Sequence, residues 1–248
     1  MVGASSGIGR ALARQCLARG DAVVASARRT APLEELIAES PQPALGLAAG
    51  CDVTAAEAGA GLVRAATAFL EGHGGLDTVI YAAGTAPLGA LSSTTAGQWQ
   101  EPLATNLVGA ALVVAEALPE LRRRPAGRSV VALLSSHIVG DPWPGLGAYA
   151  ASKAGVNELA RGLRAEEPSV RTLRISVGPT VTSFADGWDA DVATTYLTRW
   201  FEEGQLRHDV LTPDETAGAI LRALDDPASP DDLTVIGAEA PSRPVETA

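Results

Sequence analysis

Gly3-Ala4-Ser5-Ser6-Gly7-Ile8-Gly9 runs without a break into Arg10-Ala11-Leu12-Ala13-Arg14-Gln15-Cys16-Leu17, whose apolar residues recur at helical spacing. A glycine-rich turn feeding a helix lets the backbone come close to a pyrophosphate, and the helix start offers it unpaired N–H groups and a partial positive charge. The glycines fall as GxxxGxG, whereas the commoner dinucleotide fingerprint is GxGxxG. Gly3, Ser5, Ser6, Gly7, Ile8 and Gly9 are therefore candidate cofactor-binding residues. Taken alone, the stretch also suits an ordinary polar turn, and the residues that follow it decide between the two.

The next apolar run, Asp21 to Ala27, reads as a buried strand and ends directly in Arg28-Arg29. In a dinucleotide-binding unit this position carries an acid for the ribose 2′-hydroxyl or an arginine for a 2′-phosphate. Two arginines in an acidic chain favour NADP over NAD, because guanidinium groups pair well with phosphate oxygens; the other reading is a solvated loop pair. Ala44 to Val53 is a second strand with Asp52 and Val53 at its carboxyl edge, followed by a helix from about Thr54 to Leu70. Asp52 suits either an adenine amino group or a helix cap. Leu76 to Gly84 is a third strand that ends in the small residues Ala82-Ala83-Gly84, as a cofactor lying across strand ends requires. Strands that alternate with helices in this way imply an α/β, Rossmann-type doubly wound parallel sheet with helices on both faces.

Chemistry enters in the second half. A helix from about Glu101 to Leu118 carries Asn106 among apolar neighbours, where a buried amide needs partners. The strand Arg128 to Ser136 places Ser136 at its carboxyl end, where ligands sit in open parallel sheets. In Tyr149-Ala150-Ala151-Ser152-Lys153 a phenol and an ammonium stand four residues apart, one above the other on a helix. An ammonium beside a phenol lowers the phenol from about 10 toward the working range of a general acid or base, although the same spacing also arises by chance. Val170 to Val177 is strand-like and is broken by Gly178-Pro179-Thr180. The aromatic residues Phe184, Trp188, Tyr196, Trp200 and Phe201 then mark a region, about 184–208, that reads as a substrate lid with some members in the core. A last helix, starting at Thr212 or Asp214, and a strand Leu233 to Ile236 complete the pattern.

A chain of 248 residues with 46% apolar content supports one domain over 1–248, with a flexible tail from about residue 240. A net charge of −10 argues against nucleic acid or an anionic membrane as partner. With no run of eighteen uncharged apolar residues and no leader pattern, the expectation is a soluble cytoplasmic protein. Cys16 and Cys51 read as small buried residues, His73, His137 and His208 as polar surface or loop positions, and no metal site is expected.

Together GASSGIG at Gly3 to Gly9, Asp52-Val53, Ala82-Ala83-Gly84, Asn106 in NLVG, Ser136 in LLSS and Tyr149 to Lys153 resemble the short-chain dehydrogenase/reductase family over nearly the whole chain, with Ser136 thirteen residues before Tyr149. The resemblance implies hydride transfer between nicotinamide and a carbonyl or secondary alcohol, and a homodimer or homotetramer joined through the helices carrying Asn106 and Tyr149. It implies Tyr149 as general acid/base and Ser136 as holder of the substrate oxygen. It further implies that Lys153 binds the nicotinamide ribose and lowers the Tyr149 pKa, and that Asn106 holds a water leading to Lys153.

Three departures stand out. Tyr81-Ala82 replaces a pair of asparagines. Pro179 is followed by Thr180, so that Thr182 is the candidate for the carboxamide contact beside Pro179. Only Met1-Val2 precedes Gly3, where the family has its central first strand. Two residues are too few for a strand of about five or six, so the expectation is a truncated first central strand. On that reading the chain as given starts some five to eight residues late, and a gap splits the sheet and leaves the turn unsupported. The leading functional expectation is an NADP-dependent oxidoreductase acting on a small, fairly apolar substrate. The alternatives are a catalytically impaired dinucleotide-binding regulator or partner protein, and epimerisation or dehydration by the same Tyr and Lys.

Overall fold

The computed structural model describes residues 1–206 and 209–239. His208, the end of the 184–208 region and the tail from 240 lie outside the described residues. Six strands run parallel: β1 Val23–Ala27, β2 Gly46–Gly50, β3 Thr78–Tyr81, β4 Val130–Ser136, β5 Arg171–Val177 and β6 Asp232–Val235. β2 pairs with β1, and β3 to β6 pair in sequence order.

Met1–Gly3 enters between β1 and β3. Val2 makes parallel bridges to Ser26 and to Tyr81. Ser26 N donates to Met1 O and Val2 N to Ile80 O, both at 2.9 Å, while Ala82 N donates to Val2 O at 2.9 Å and Gly3 N to Ser26 O at 2.8 Å. The expected gap is thus corrected at the level of the glycine turn. Two residues make no strand, but bonded from both sides they join β1 to β3 and support the turn.

Eight helices cover the sheet among the described residues: α1 Gly7–Arg19, α2 Ala31–Ala38, α3 Ala58–Leu70, α4 Ala96–Pro102, α5 Gly109–Leu121, α6 Gly147–Glu166, α7 Ala190–Glu202 and α8 Pro213–Asp225. One core layer packs α1, α2 and α8 on Ala25, Ala132, Leu173 and Ile175; the other packs α3, α5 and α6 on Val24, Val79, Val131 and Leu133. The alternation of Val131 and Leu133 with Ala132 and Leu134 along β4 shows why a strand buried on both faces must be apolar throughout.

The helix expected from Glu101 begins earlier, where Thr95 and Gln98 form a capping box, and its α4 and α5 parts are joined by a π-helical segment, Leu103–Val108. The run Ala96–Leu121, with an 18-residue window of mean hydropathy 1.4, is long and apolar enough to cross a membrane by composition; here Val113, Val114, Ala117 and Leu121 bury one face of it in the core. Thr212 caps α8 through a second capping box with Glu215. α3 starts at Ala58, beyond reach of Asp52 as a cap; Asp52 Oδ1 instead accepts from Thr54 N at 3.0 Å and Thr54 Oγ1 at 2.7 Å. Cys16 and Cys51 are both buried.

Candidate active site

At the carboxyl edge of the strands lies a cavity of about 1040 Å³. The glycine turn forms one wall. Gly3 has φ +87°, and a Cβ there would fall 2.7 Å from Ala83 Cα; a Cβ on Gly9 would fall 2.8 Å from the Gly3 carbonyl carbon and overlap its oxygen. Side chains are excluded at both places because the turn, the helix start and the end of β3 share the same space. Ser6 caps α1 without a side-chain bond to the helix, so the N–H groups of the first turn face the cavity, which Ser5, Ser6, Gly7 and Ile8 line.

Arg28 and Arg29 stand exposed at the same end of the cavity, with Asp52 and Val53 opposite. Arg28 acts on the Asp52 carboxylate at a distance, yet among the described residues neither guanidinium has a hydrogen-bond or ion-pair partner. Ala82, Ala83, Gly84, Pro179 and Thr182 also line the cavity. The Thr182 methyl comes within 3.1 Å of where a Cβ on Gly7 would be, which places this residue against the helix start. Thr180 turns to Gly178 O and Thr216.

Ser136, Tyr149 and Lys153 meet at the centre of the cavity. Ser136 and Lys153 are both 5% exposed. Lys153 Nζ donates to Leu134 O at 2.7 Å and lies 5.9 Å from the centre of the Tyr149 ring. Asn106, fully buried, lies behind the cavity wall. Its Oδ1 accepts from Thr85 N at 2.8 Å, and its Nδ2 donates to Thr85 O at 2.9 Å and Ser152 Oγ at 2.8 Å. Ser152 Oγ donates in turn to Tyr149 O at 2.7 Å. Both amide hydrogens are engaged, so the side chain clamps the loop after β3 to α6.

The proton chemistry also departs from expectation. Burial pushes the Tyr149 phenol up to about 12, with the Ser136 hydroxyl opposing the rise. Burial pushes Lys153 down to about 8. Burial outweighs the expected lowering of the phenol, and the ammonium is bonded to the Leu134 carbonyl.

The shift of Lys153 has a consequence for stability. Below pH 8 the folded chain bears the full cost of a dry ammonium; between pH 8 and the ordinary value of 10.5 the unfolded chain holds a proton that the folded one has released, so stability rises with pH. Relative to Lys153→Met, the unfolding free energy of the parent protein should rise by about 2 kcal/mol from pH 7 to pH 9.5 in urea titrations. An equal difference at both pH values would contradict the burial of the charge.

The other end of the cavity is aromatic. Phe184 meets the Tyr149 ring edge-on at 5.2 Å and Trp188 at 5.9 Å, while Trp143 packs on Trp200 at 5.2 Å. Trp188 Nε1 donates to Ala86 O at 2.7 Å and so fastens the segment before α7 to the loop after β3. Phe184 and Trp188 line the cavity, as does Trp200, which at 3% exposure also packs in the core; Phe201 is 64% exposed. His137 lies half-buried in the turn directly after Ser136, in keeping with the loop reading, and stacks edge-on against Trp143 at 5.2 Å. Thr85, Ser152 and the tie between Tyr81 and Thr105 were not singled out from sequence. The buried amide of Asn106 announced a need for partners, but their identity depends on how the loop after β3 folds back on the helix.

Comparison with known proteins gives the family and supports the fold. The family model for short chain dehydrogenases matches residues 1–193. An uncharacterized oxidoreductase of Mycobacterium tuberculosis is 38% identical over 184 residues, covering 71% of this chain and 69% of its own. The crystal structure of a short-chain dehydrogenase from Streptomyces avermitilis superposes with a TM-score of 0.78 at 30% identity, over 95% of this chain and 86% of its own. An alcohol dehydrogenase from the archaeon Thermococcus sibiricus, complexed with 5-hydroxy-NADP, has the same fold, with a TM-score of 0.78 at 23% identity over 98% and 97% of the two chains.

Proposed function

Because the chain belongs to the short-chain dehydrogenase family, whose general activity is oxidoreduction by hydride transfer, we propose that it is an NADP-dependent oxidoreductase acting on the carbonyl or secondary alcohol of a small, largely apolar substrate. The observation that carries the proposal is the meeting of Ser136, Tyr149 and Lys153 in one cavity that is also lined by the glycine turn and by Arg28 and Arg29. The residues fit a dinucleotide: the turn admits no side chain at Gly3 or Gly9, and the helix start is open to an anion. Gly3 to Gly9 would hold the pyrophosphate, Arg28 and Arg29 the 2′-phosphate, and Asp52 and Val53 the adenine. Ala82 to Gly84, Pro179 and Thr182 would border the nicotinamide half, with Tyr149 and Lys153 at its ribose. The cofactor would supply or accept the hydride at its nicotinamide C4.

Ser136 would hold the substrate oxygen, and Tyr149 would give that oxygen a proton in reduction or take it back in oxidation. A phenol at about 12 is protonated throughout the neutral range, which suits the acid role directly. Service as base requires that Lys153 be brought to bear on the phenol's oxygen. Phe184 and Trp188 favour apolar substrates of modest size. The bound 5-hydroxy-NADP of the Thermococcus sibiricus enzyme supports NADP as the cofactor. Val108 and Leu112, 49% and 41% exposed on the helical run that carries Asn106, support a homodimer or homotetramer joined there.

A panel of ketones, diketones and quinones with NADPH, followed by the loss of cofactor absorbance, tests the activity. Turnover that ceases in Tyr149→Phe supports the proposal. Binding without turnover across the panel, unchanged by Tyr149→Phe, would favour the regulator. For cofactor choice, Arg28→Ala should weaken NADPH by about tenfold or more while leaving NADH nearly unchanged, read by titration calorimetry. Equal losses for both would remove the 2′-phosphate role.

A further inference from the structure

Tyr81 ends β3 where the resemblance leads one to expect an asparagine, and it has no place in the chemistry described so far. Its ring is 2% exposed, on the sheet face that packs against α3 and α5. Its hydroxyl donates to Thr105 O at 2.5 Å. Thr105 belongs to the π-helical segment Leu103–Val108, in which Gly109 N bonds to Ala104 O, five residues back. Such a turn holds one residue more than a regular helix, and its carbonyls depend more on partners outside the helix. Gly109 leaves the room that the phenol needs: a Cβ there would lie 2.7 Å from Tyr81 Oη and 2.9 Å from Val53 Cβ. Tyrosine at 81 and glycine at 109 therefore fit one another. Burial also raises the phenol well above its usual range, so the hydroxyl remains a donor at any working pH.

The residue after Thr105 is Asn106, whose side chain is bonded to Thr85 and Ser152, and Ser152 is bonded to the carbonyl of Tyr149. We infer that Tyr81 is a positioning residue for turnover: by fixing the Thr105 carbonyl, its hydroxyl sets the π turn that aims Asn106 at Ser152 and so settles where the first turn of α6 presents Tyr149 and Lys153. The inference rests on the reading that Tyr149 and Lys153 carry out the proton transfer. In this chain a phenol from the sheet would do by one long reach what a short amide at the same place does not extend to do.

The test is a double-mutant cycle of Tyr81→Phe with Asn106→Ala, read as kcat and KM for NADPH-dependent reduction of the best ketone of the panel. Tyr81→Phe keeps the ring and removes one hydrogen bond. It should lower kcat by about tenfold while KM and the NADPH Kd stay within about twofold, since misplacement of a catalytic group acts on the chemical step. In the Asn106→Ala background the same change should lower kcat by less than about twofold, because the route from residue 81 to α6 is already cut. Wild-type kcat in Tyr81→Phe, or effects that multiply independently in the double variant, would overturn the inference. So would a Tyr81→Phe protein that fails to fold, which would make the hydroxyl a requirement of the core instead. Tyr149→Phe in the same assay separates the two levels. If that variant keeps its activity, the proton-transfer reading itself falls; if it loses activity while Tyr81→Phe does not, only the positioning role falls.

Discussion

Tyr149→Phe should lower kcat/KM for ketone reduction by about 10²- to 10⁴-fold, the range typical of a lost general acid, while NADPH binds as before. The size of the effect follows from the surroundings of the phenol. Ser136, Lys153 and the Phe184 ring are its neighbours, and none of them offers a second proton donor in its place: the proposed function commits the Ser136 hydroxyl to the substrate oxygen, and Lys153 Nζ is bonded to Leu134 O. The substitution removes one oxygen and leaves the ring packed against Phe184, so stability and cofactor affinity serve as internal controls. Stopped-flow reduction at saturating NADPH gives the comparison. A variant within about threefold of the parent protein would fall far short of the effect of a lost general acid and exclude Tyr149 from that role.

Gly9→Ala should have the second largest effect. The added methyl would overlap the Gly3 carbonyl oxygen, and Gly3 cannot yield freely, since its own Cα faces Ala83 and its N–H is bonded to Ser26 O. Overpacking at such a place costs about 1–3 kcal/mol. For a chain of this size that is a fall in Tm of about 2–10 °C. The displaced turn is also the proposed pyrophosphate cradle, so NADPH affinity should drop by about a hundredfold, since preorganised N–H groups lose most of their value when moved by an ångström. Quenching of tryptophan fluorescence by NADPH, together with thermal unfolding, reads both effects. Unchanged affinity in a destabilised Gly9→Ala protein would separate the turn from the cofactor.

Much of this site is written in local spacing. The Gly3–Gly9 turn, the arginines after β1, Ser136 at a strand end and the pair Tyr149/Lys153 each depend on a short stretch whose period or position fixes where the side chain goes, and the structure gathers them around one cavity. What depends on distant groups was not legible. Asn106 reads as a buried amide in need of partners, but Thr85 and Ser152 become its partners only when three elements pack together. A spacing of four positions from Tyr149 to Lys153 suggests an ammonium beside a phenol, whereas the carbonyl of Leu134, supplied by the strand β4, engages Nζ instead. Two residues before Gly3 are too short for a strand by any local rule, yet hydrogen bonds from both neighbours place them in the sheet. The capping box at Thr95 starts the helical run that carries Asn106 ahead of its apolar stretch, and the π segment that follows relaxes the ordinary helical period.

The most direct measurement follows deuterium from [4,4-²H₂]NADPH into the product. With the best ketone of the panel, mass spectrometry and proton NMR of the alcohol should find one deuterium on the former carbonyl carbon and a solvent-derived proton on its oxygen. Alcohol formed without deuterium at that carbon, or NADPH bound in the cavity with no reduction of any carbonyl offered, would contradict hydride transfer at this site.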